Sequence, residues 1–152
     1  MTDAEKELVN KYPEAAAFAG VAASVWNGSA SPAKVEMRVK GRLYTELKRL
    51  LNKNIQTVFL TDSDIRHIKK KHGRNEATRG QTDITPEDFA LIPLVLNEFD
   101  HVEQNLTDKL GNKKLLFKKN CGGMIYVATV ERGETKVEVR TFWKMRAPSA
   151  SC

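Results

Sequence analysis

The sequence predicts an α+β fold, with N-terminal helices packed on a four-stranded antiparallel sheet. Two observations predict it. Apolar residues first recur at helical spacing, as at Leu43, Leu47, Leu50 and Leu51, and from His101 onward the period changes to two. Three turn signals then divide the alternating part into four runs: Leu110-Gly111-Asn112, Asn120-Cys121-Gly122-Gly123 and Arg132-Gly133-Glu134. Helices followed by a meander make an α+β arrangement.

The elements follow in order. Residues 4–25 are Ala-rich and helical, with Pro13 limiting one segment and opening another. Asn27–Ala33 is a loop by composition. Lys34–Lys40 alternates Val35, Met37 and Val39 as a strand does, although a helix running into the next segment stays open. Residues 42–53 form an amphipathic helix, and Gln56–Thr61 a short strand. Asp62 or Ser63 is expected to cap a helix over 64–72, with Gly73 as its stop. Gly80–Asp83 reads as a loop. Thr85-Pro86-Glu87-Asp88 is a helix start, with Pro86 at the first helical position and Pro93 expected to kink or end the helix. The strands are His101–Leu106, Lys113–Lys119, Met124–Val130 and Thr135–Trp143. A chain of 152 residues fits one ordinary domain with a short appendage. The expected division is a helical N-terminal appendage and linker over 1–33 and an α+β domain over 34–152.

The charge is segregated. Residues 1–30 carry net −2, residues 31–74 net +8, residues 75–108 net −7 and residues 109–152 net +7. Two basic blocks that meet in the fold make a surface for a polyanion. No run approaches the ~20 apolar residues a membrane helix needs, so no membrane partner is expected. Ala15–Val25 is small and apolar, but an acidic stretch precedes it, unlike a signal peptide. Cys121 and Cys152 make neither a metal site nor a disulfide framework, and no cofactor motif is visible.

The candidate chemistry lies in two places. The first is Asp64-Ile65-Arg66-His67-Ile68-Lys69-Lys70-Lys71-His72. His67 and His72 sit roughly 140° apart on an ideal helix, so they are not a His-x-x-x-His metal pair. His72 falls on the face of Ile65 and Ile68, whereas His67 lies nearer Lys70 and Lys71. Histidine both accepts and donates protons near neutrality, and lysine neutralises phosphate. The second is the sheet. Lys114, Leu116 and Lys118 share one strand face. In the last strand, Val137, Val139, Thr141 and Trp143 share a face, and Lys136, Glu138, Arg140 and Phe142 the other. Arg140 and Lys118 are expected together on an open face near Tyr126 or Thr129, a pairing suited to clamping phosphate and stacking bases. Trp143 and Phe142 are either base platforms or core.

These strings resemble a known family. Val58-Phe59-Leu60-Thr61, then His67-Ile68-x-x-Lys71-His72, then Ile84-Thr85-Pro86-Glu87-Asp88 before Ile92-Pro93, then strands ending Val139-Arg140-Thr141-Phe142-Trp143, are similar to phage-associated nuclease domains of the barnase–EndoU–colicin–RelE superfamily. Such domains occur in phage head-morphogenesis proteins and polymorphic toxins. The resemblance covers about residues 42–146. It implies a barnase/RelE-like sheet and cleavage of RNA without metal or cofactor, through 2′-OH attack to a 2′,3′-cyclic phosphate. It assigns His67, His72, a lysine at Lys118 or Lys119, and Thr141 to the site, with Arg140 added for charge stabilisation. Lys71 stands where an arginine is more usual, a point charge in place of a bidentate fork. Lys70, Lys71, Lys114, Lys119, Tyr126 and Trp143 are the expected RNA contacts. The implied partners are RNA, with tRNA as a candidate substrate, and an acidic immunity protein or antitoxin. The implied site of action is the cytoplasm, reached from a phage particle or by delivery into a target cell. The competing class is a non-catalytic basic nucleic-acid-binding module.

Overall fold

A computed structural model of the chain describes residues 1, 3–28, 32–74 and 81–145. In chain order these form α1 (Asp3–Val9), α2 (Glu14–Trp26), β1 (Lys34–Arg38), α3 (Gly41–Leu51), β2 (Thr57–Thr61), α4 (Asp62–His72), β3 (Gln81–Thr82), a 3₁₀ turn (Pro86–Ala90), α5 (Leu91–Glu98), β4 (His101–Thr107), β5 (Lys113–Asn120), β6 (Met124–Arg132) and β7 (Lys136–Met145). The fold is α+β, as expected. The sheet, however, has seven strands among the described residues, not four, in the order β1-β2-β7-β6-β5-β4 with β3 added to β7. The meander is antiparallel throughout, whereas β2 joins β7 in parallel over only Thr57–Phe59 and Lys136–Glu138. Alternation made β1 and β2 legible as strands. Their place on β7 is a tertiary choice that no local period encodes.

The helices are laid over one face of this sheet. α2 turns Ala15, Phe18, Ala22 and Val25 inward and packs on the 3₁₀ turn, α4, β1 and α5. These side chains belong to the same buried cluster as Val127, Val139 and Phe142 of the sheet. Glu5 of α1 lies 3.7 Å from the Lys144 ammonium of β7, which also meets Asp88 at 3.3 Å. The segment expected as an appendage therefore contributes to the core. Among the described residues no helix is long and apolar enough to cross a membrane.

Two helix starts and one stop decide where the site lies. α4 begins at Asp62, two residues earlier than the sequence suggests: Thr61, not Asp62 or Ser63, is the cap. Its hydroxyl accepts from the Asp64 amide at 3.2 Å, and the Asp64 carboxylate accepts from the Thr61 amide at 3.1 Å. The same capping box joins Thr85 and Asp88 ahead of the 3₁₀ turn. Pro93 does not end its helix, which runs on to Glu98. It lies in the first turn of α5, where a backbone N–H has no intrahelical partner to lose. Gly73 follows α4 with ordinary negative φ, and its need is for space: a Cβ there would stand 2.5 Å from the Lys69 carbonyl oxygen. Cys121 is buried in the β5–β6 turn and is not a free thiol, which corrects the expectation of no disulfide at that residue. Cys152 lies outside the described residues.

Truncating Phe18, fully buried on α2, is expected to cost about 3–5 kcal/mol. Urea unfolding of Phe18→Ala should show one transition with a lowered midpoint. A separate early transition, with the main one unmoved, would mean that α1 and α2 fold apart from the sheet.

Candidate active site

β7 carries one residue more than β6 at the centre of the sheet. Ala128 pairs with Thr141 but Thr129 pairs with Val139, so Arg140 is the extra residue of a β-bulge. A bulge shifts the alternation by one. Val137 and Val139 face the core, and beyond the bulge Phe142 does so in place of Thr141. Thr141 and Trp143 are thereby turned to the open face, the same side as Arg140. The expected parity, with Thr141 and Trp143 alongside Val139, holds only up to the bulge.

Beyond its short pairing with β2, β7 has α4 packed beside it. The result is a cleft of about 490 Å³ whose lining includes His67 of α4, Arg140, Thr141 and Trp143 of β7, and Lys114 and Leu116 of β5. Of the remaining lining the sequence reading names only Thr129 as a site neighbour. Asn105 and Leu106 enter from β4, at the irregularity between Gln104 and Thr107, and Thr129, Asp108 and Arg132 complete it. The Thr129 and Thr141 hydroxyl oxygens are buried and take no hydrogen bond among the described residues. Thr129 pairs with core-facing Val139 and Leu115, so its hydroxyl points to the core side, whereas Thr141 is the hydroxyl on the cleft side.

Arg140 is held from behind. Its Nη1 donates to Asp64 Oδ1 at 3.1 Å and lies 3.4 Å from Glu138 Oε2. Arg132 Nε donates to Glu138 Oε1 at 2.8 Å. Burial and then the neighbouring Glu138 push the Asp64 carboxyl up to about 7. Burial pushes Glu138 up as well, but the Asp64 hydroxyl and the two guanidiniums outweigh it and leave Glu138 below the usual range. The two carboxyls share one proton. His67 is held below its ordinary value by partial burial first, then by Lys71, Arg140, His72 and Lys70. A neutral imidazole is therefore the resting form near pH 7.

The other expected residues lie elsewhere. His72 is buried, and its ring stacks on Trp143 at 5.8 Å between centroids. Tyr126 stacks on Trp143 at 4.9 Å. Since β6 and α4 flank β7 on opposite sides, both faces of Trp143 are covered, and only its edge reaches the cleft. Lys118 stands 5.9 Å over the Tyr126 ring and pairs with Glu103 at 3.1 Å. It is two strands from Arg140, roughly 10 Å, so these cations do not form the expected pair. Lys114 is the lysine that lines the cleft. Lys119 meets Asp100 at 3.7 Å on the other side of the sheet's rim. Lys71 is exposed beside His67, and Lys70 lines a separate groove across α4. Among the described residues no three His, Cys, Asp or Glu side chains are grouped to hold a metal ion.

Two measurements check these electrostatics. In an NMR titration His67 should titrate below 6.5, and Arg140→Gln, which removes a neighbouring cation, should raise it. A midpoint unmoved by that substitution would place the guanidinium out of reach. Asp64 binds its proton more tightly folded than unfolded, so its contribution to stability falls as pH rises from the ordinary carboxylate range to about 7. Asp64→Asn should flatten that fall in urea titrations. A wild-type profile already flat across this window would contradict the shared proton.

The family model described as phage-Barnase-EndoU-ColicinE5/D-RelE like nuclease3 matches residues 37–150, a span that holds every wall of the cleft. No curated protein and no solved structure matches the chain.

Proposed function

We propose that this chain, which belongs to the phage-Barnase-EndoU-ColicinE5/D-RelE like nuclease family, cleaves RNA in this cleft by metal-independent transesterification. The observation that carries the reading is the bulge at Arg140. It sets a guanidinium and the Thr141 hydroxyl in one cleft with His67, a histidine kept neutral near pH 7.

The steps use those groups in turn. His67 accepts the proton of a ribose 2′-OH. The 2′ oxygen then bonds to the adjacent phosphorus, and the bond from phosphorus to the 5′ oxygen breaks. The Lys114 ammonium, on the opposite wall, returns a proton to the leaving oxygen. Arg140 meets the charge that develops on the phosphoryl oxygens, and the Thr141 hydroxyl donates beside it. The products are a 2′,3′-cyclic phosphate and a free 5′-hydroxyl. His72 is a packing residue in this scheme: it fixes the edge of Trp143 and, through it, the floor. Lys71 and Lys114 steer the polyanion inward, and the same basic rim is the surface an acidic inhibitor protein would cover.

Purified protein incubated with total RNA and tRNA in excess EDTA should cleave, leaving cyclic phosphate ends. His67→Ala should lower the rate about 10²–10⁴-fold, and Arg140→Gln about 10²–10³-fold. A single 2′-deoxy nucleotide at the cut site should abolish cleavage there. His72→Ala should act mainly on thermal stability. Full activity in His67→Ala would remove the mechanism, and salt-sensitive binding without turnover would favour the non-catalytic binding module.

A further inference from the structure

α4 presents a second basic surface on the flank away from the cleft. Arg66, Lys69, Lys70 and Arg74 line a groove of about 320 Å³ together with Trp26 and Gly73. Arg66, Lys69, Lys70 and Gly73 follow the i, i+3, i+4, i+7 spacing that puts residues on one helix face. No carboxylate is among the described residues of its lining.

Two of the cations are held in place. Arg66 pairs with Asp62 one turn back. The Lys69 ammonium donates to the Trp26 carbonyl at 2.9 Å and lies 5.5 Å from the centre of that indole. Trp26 itself is braced edge-on by Phe89, ring centres 6.0 Å apart. Gly73 fits closely under the ring, where a Cβ would come within 3.2 Å of Trp26. The groove is thus a rigid basic surface with its indole occupied from above by Lys69. It lacks the exposed aromatic anchor that centres most protein interfaces, and it suits a regular chain of negative charges.

We propose that this groove is a second RNA-backbone site, holding phosphates outside the scissile position. The proposal rests on the ribonuclease reading of the neighbouring cleft. Cleft and groove share α4, a cylinder about 10 Å across, so a strand leaving one reaches the other within a few nucleotides. The substrate class that follows is an extended or structured RNA, not a short oligonucleotide.

The test uses the full chain carrying His67→Ala, so that RNA is bound without being cut. Binding of a fluorescent single-stranded RNA long enough to span both sites is compared with binding of a dinucleotide across a salt series. Lys69→Gln with Arg74→Gln should lower the salt slope for the long RNA by about 1.4, because each lost phosphate contact takes about 0.7, and leave the dinucleotide unchanged. Arg74→Gln alone, at an exposed position, should lower it by about 0.7 and guards against a misfolded double variant. An unchanged slope overturns the proposal, and so does an equal loss on the dinucleotide. Polyglutamate bound as tightly as RNA and weakened equally by the variants also overturns it, in favour of an acidic protein. Cleavage by the chain with His67 intact is measured separately: its absence sinks the cleft reading, whereas the salt slope alone decides the groove.

Discussion

Everything in the cleft depends on one extra residue in β7. Without the bulge at Arg140, strict alternation would send Thr141 and Trp143 into the core and Phe142 out to solvent. The inserted residue stays because its consequences are met on both sides of the sheet. Phe142 fills the core against Phe89, ring centres 4.9 Å apart and edge-on. On the other side, Arg140 finds two carboxyl groups, one of them from a neighbouring element. Asp64 comes from the first turn of α4, and Glu138 from β7 itself. The Asp64 carboxylate that caps α4 through Thr61 is therefore the one that aims the guanidinium. The start of the helix and the position of the cation are set by one side chain.

Such a cluster is poor evidence for stability. Desolvating carboxylates and guanidiniums costs several kcal/mol per ion, and attraction among them repays it only with good geometry. The remaining cost falls on Asp64, whose carboxyl is pushed up to about 7 by burial and by Glu138 beside it. What the arrangement does supply is position. Arg140 faces the cleft with its guanidinium fixed before any substrate arrives, as transition-state stabilisation requires. His67 needs no such clasp, because its own helix holds it, and partial burial, then the surrounding cations, lower its pKa.

Much of this was legible in the sequence. The change of period at His101 gives β4 to β7, and Thr85-Pro86-Glu87-Asp88 gives the 3₁₀ start. The angular separation of His67 and His72 correctly puts them on different faces, one open and one buried. The bulge was missed, because strict alternation from Val139 places Thr141 and Trp143 on its face. The buried apolar residues run Val137, Val139, Phe142, a spacing of two and then three that a regular strand never takes. Other features have no local signal. The stacking of His72, Trp143 and Tyr126 needs β6, β7 and α4 side by side. Lys114 and Lys118 share a strand face four residues apart, and only the neighbours decide between them. Glu103 and Tyr126 occupy Lys118, whereas Lys114 is left at the cleft. Thr141 was expected at the site, whereas Asn105 emerges only when the wall is assembled.

The central claim is that His67 and Arg140 act on one substrate in one cleft. A double-mutant cycle of His67→Ala and Arg140→Gln, read in RNA cleavage rates, tests it most directly. Groups that serve one transition state are strongly non-additive. The account predicts that the double variant is far less impaired than the product of the two single losses, with a coupling of at least about tenfold, or 1.4 kcal/mol. Losses that simply multiply would contradict it, because the two side chains would then be acting at separate places.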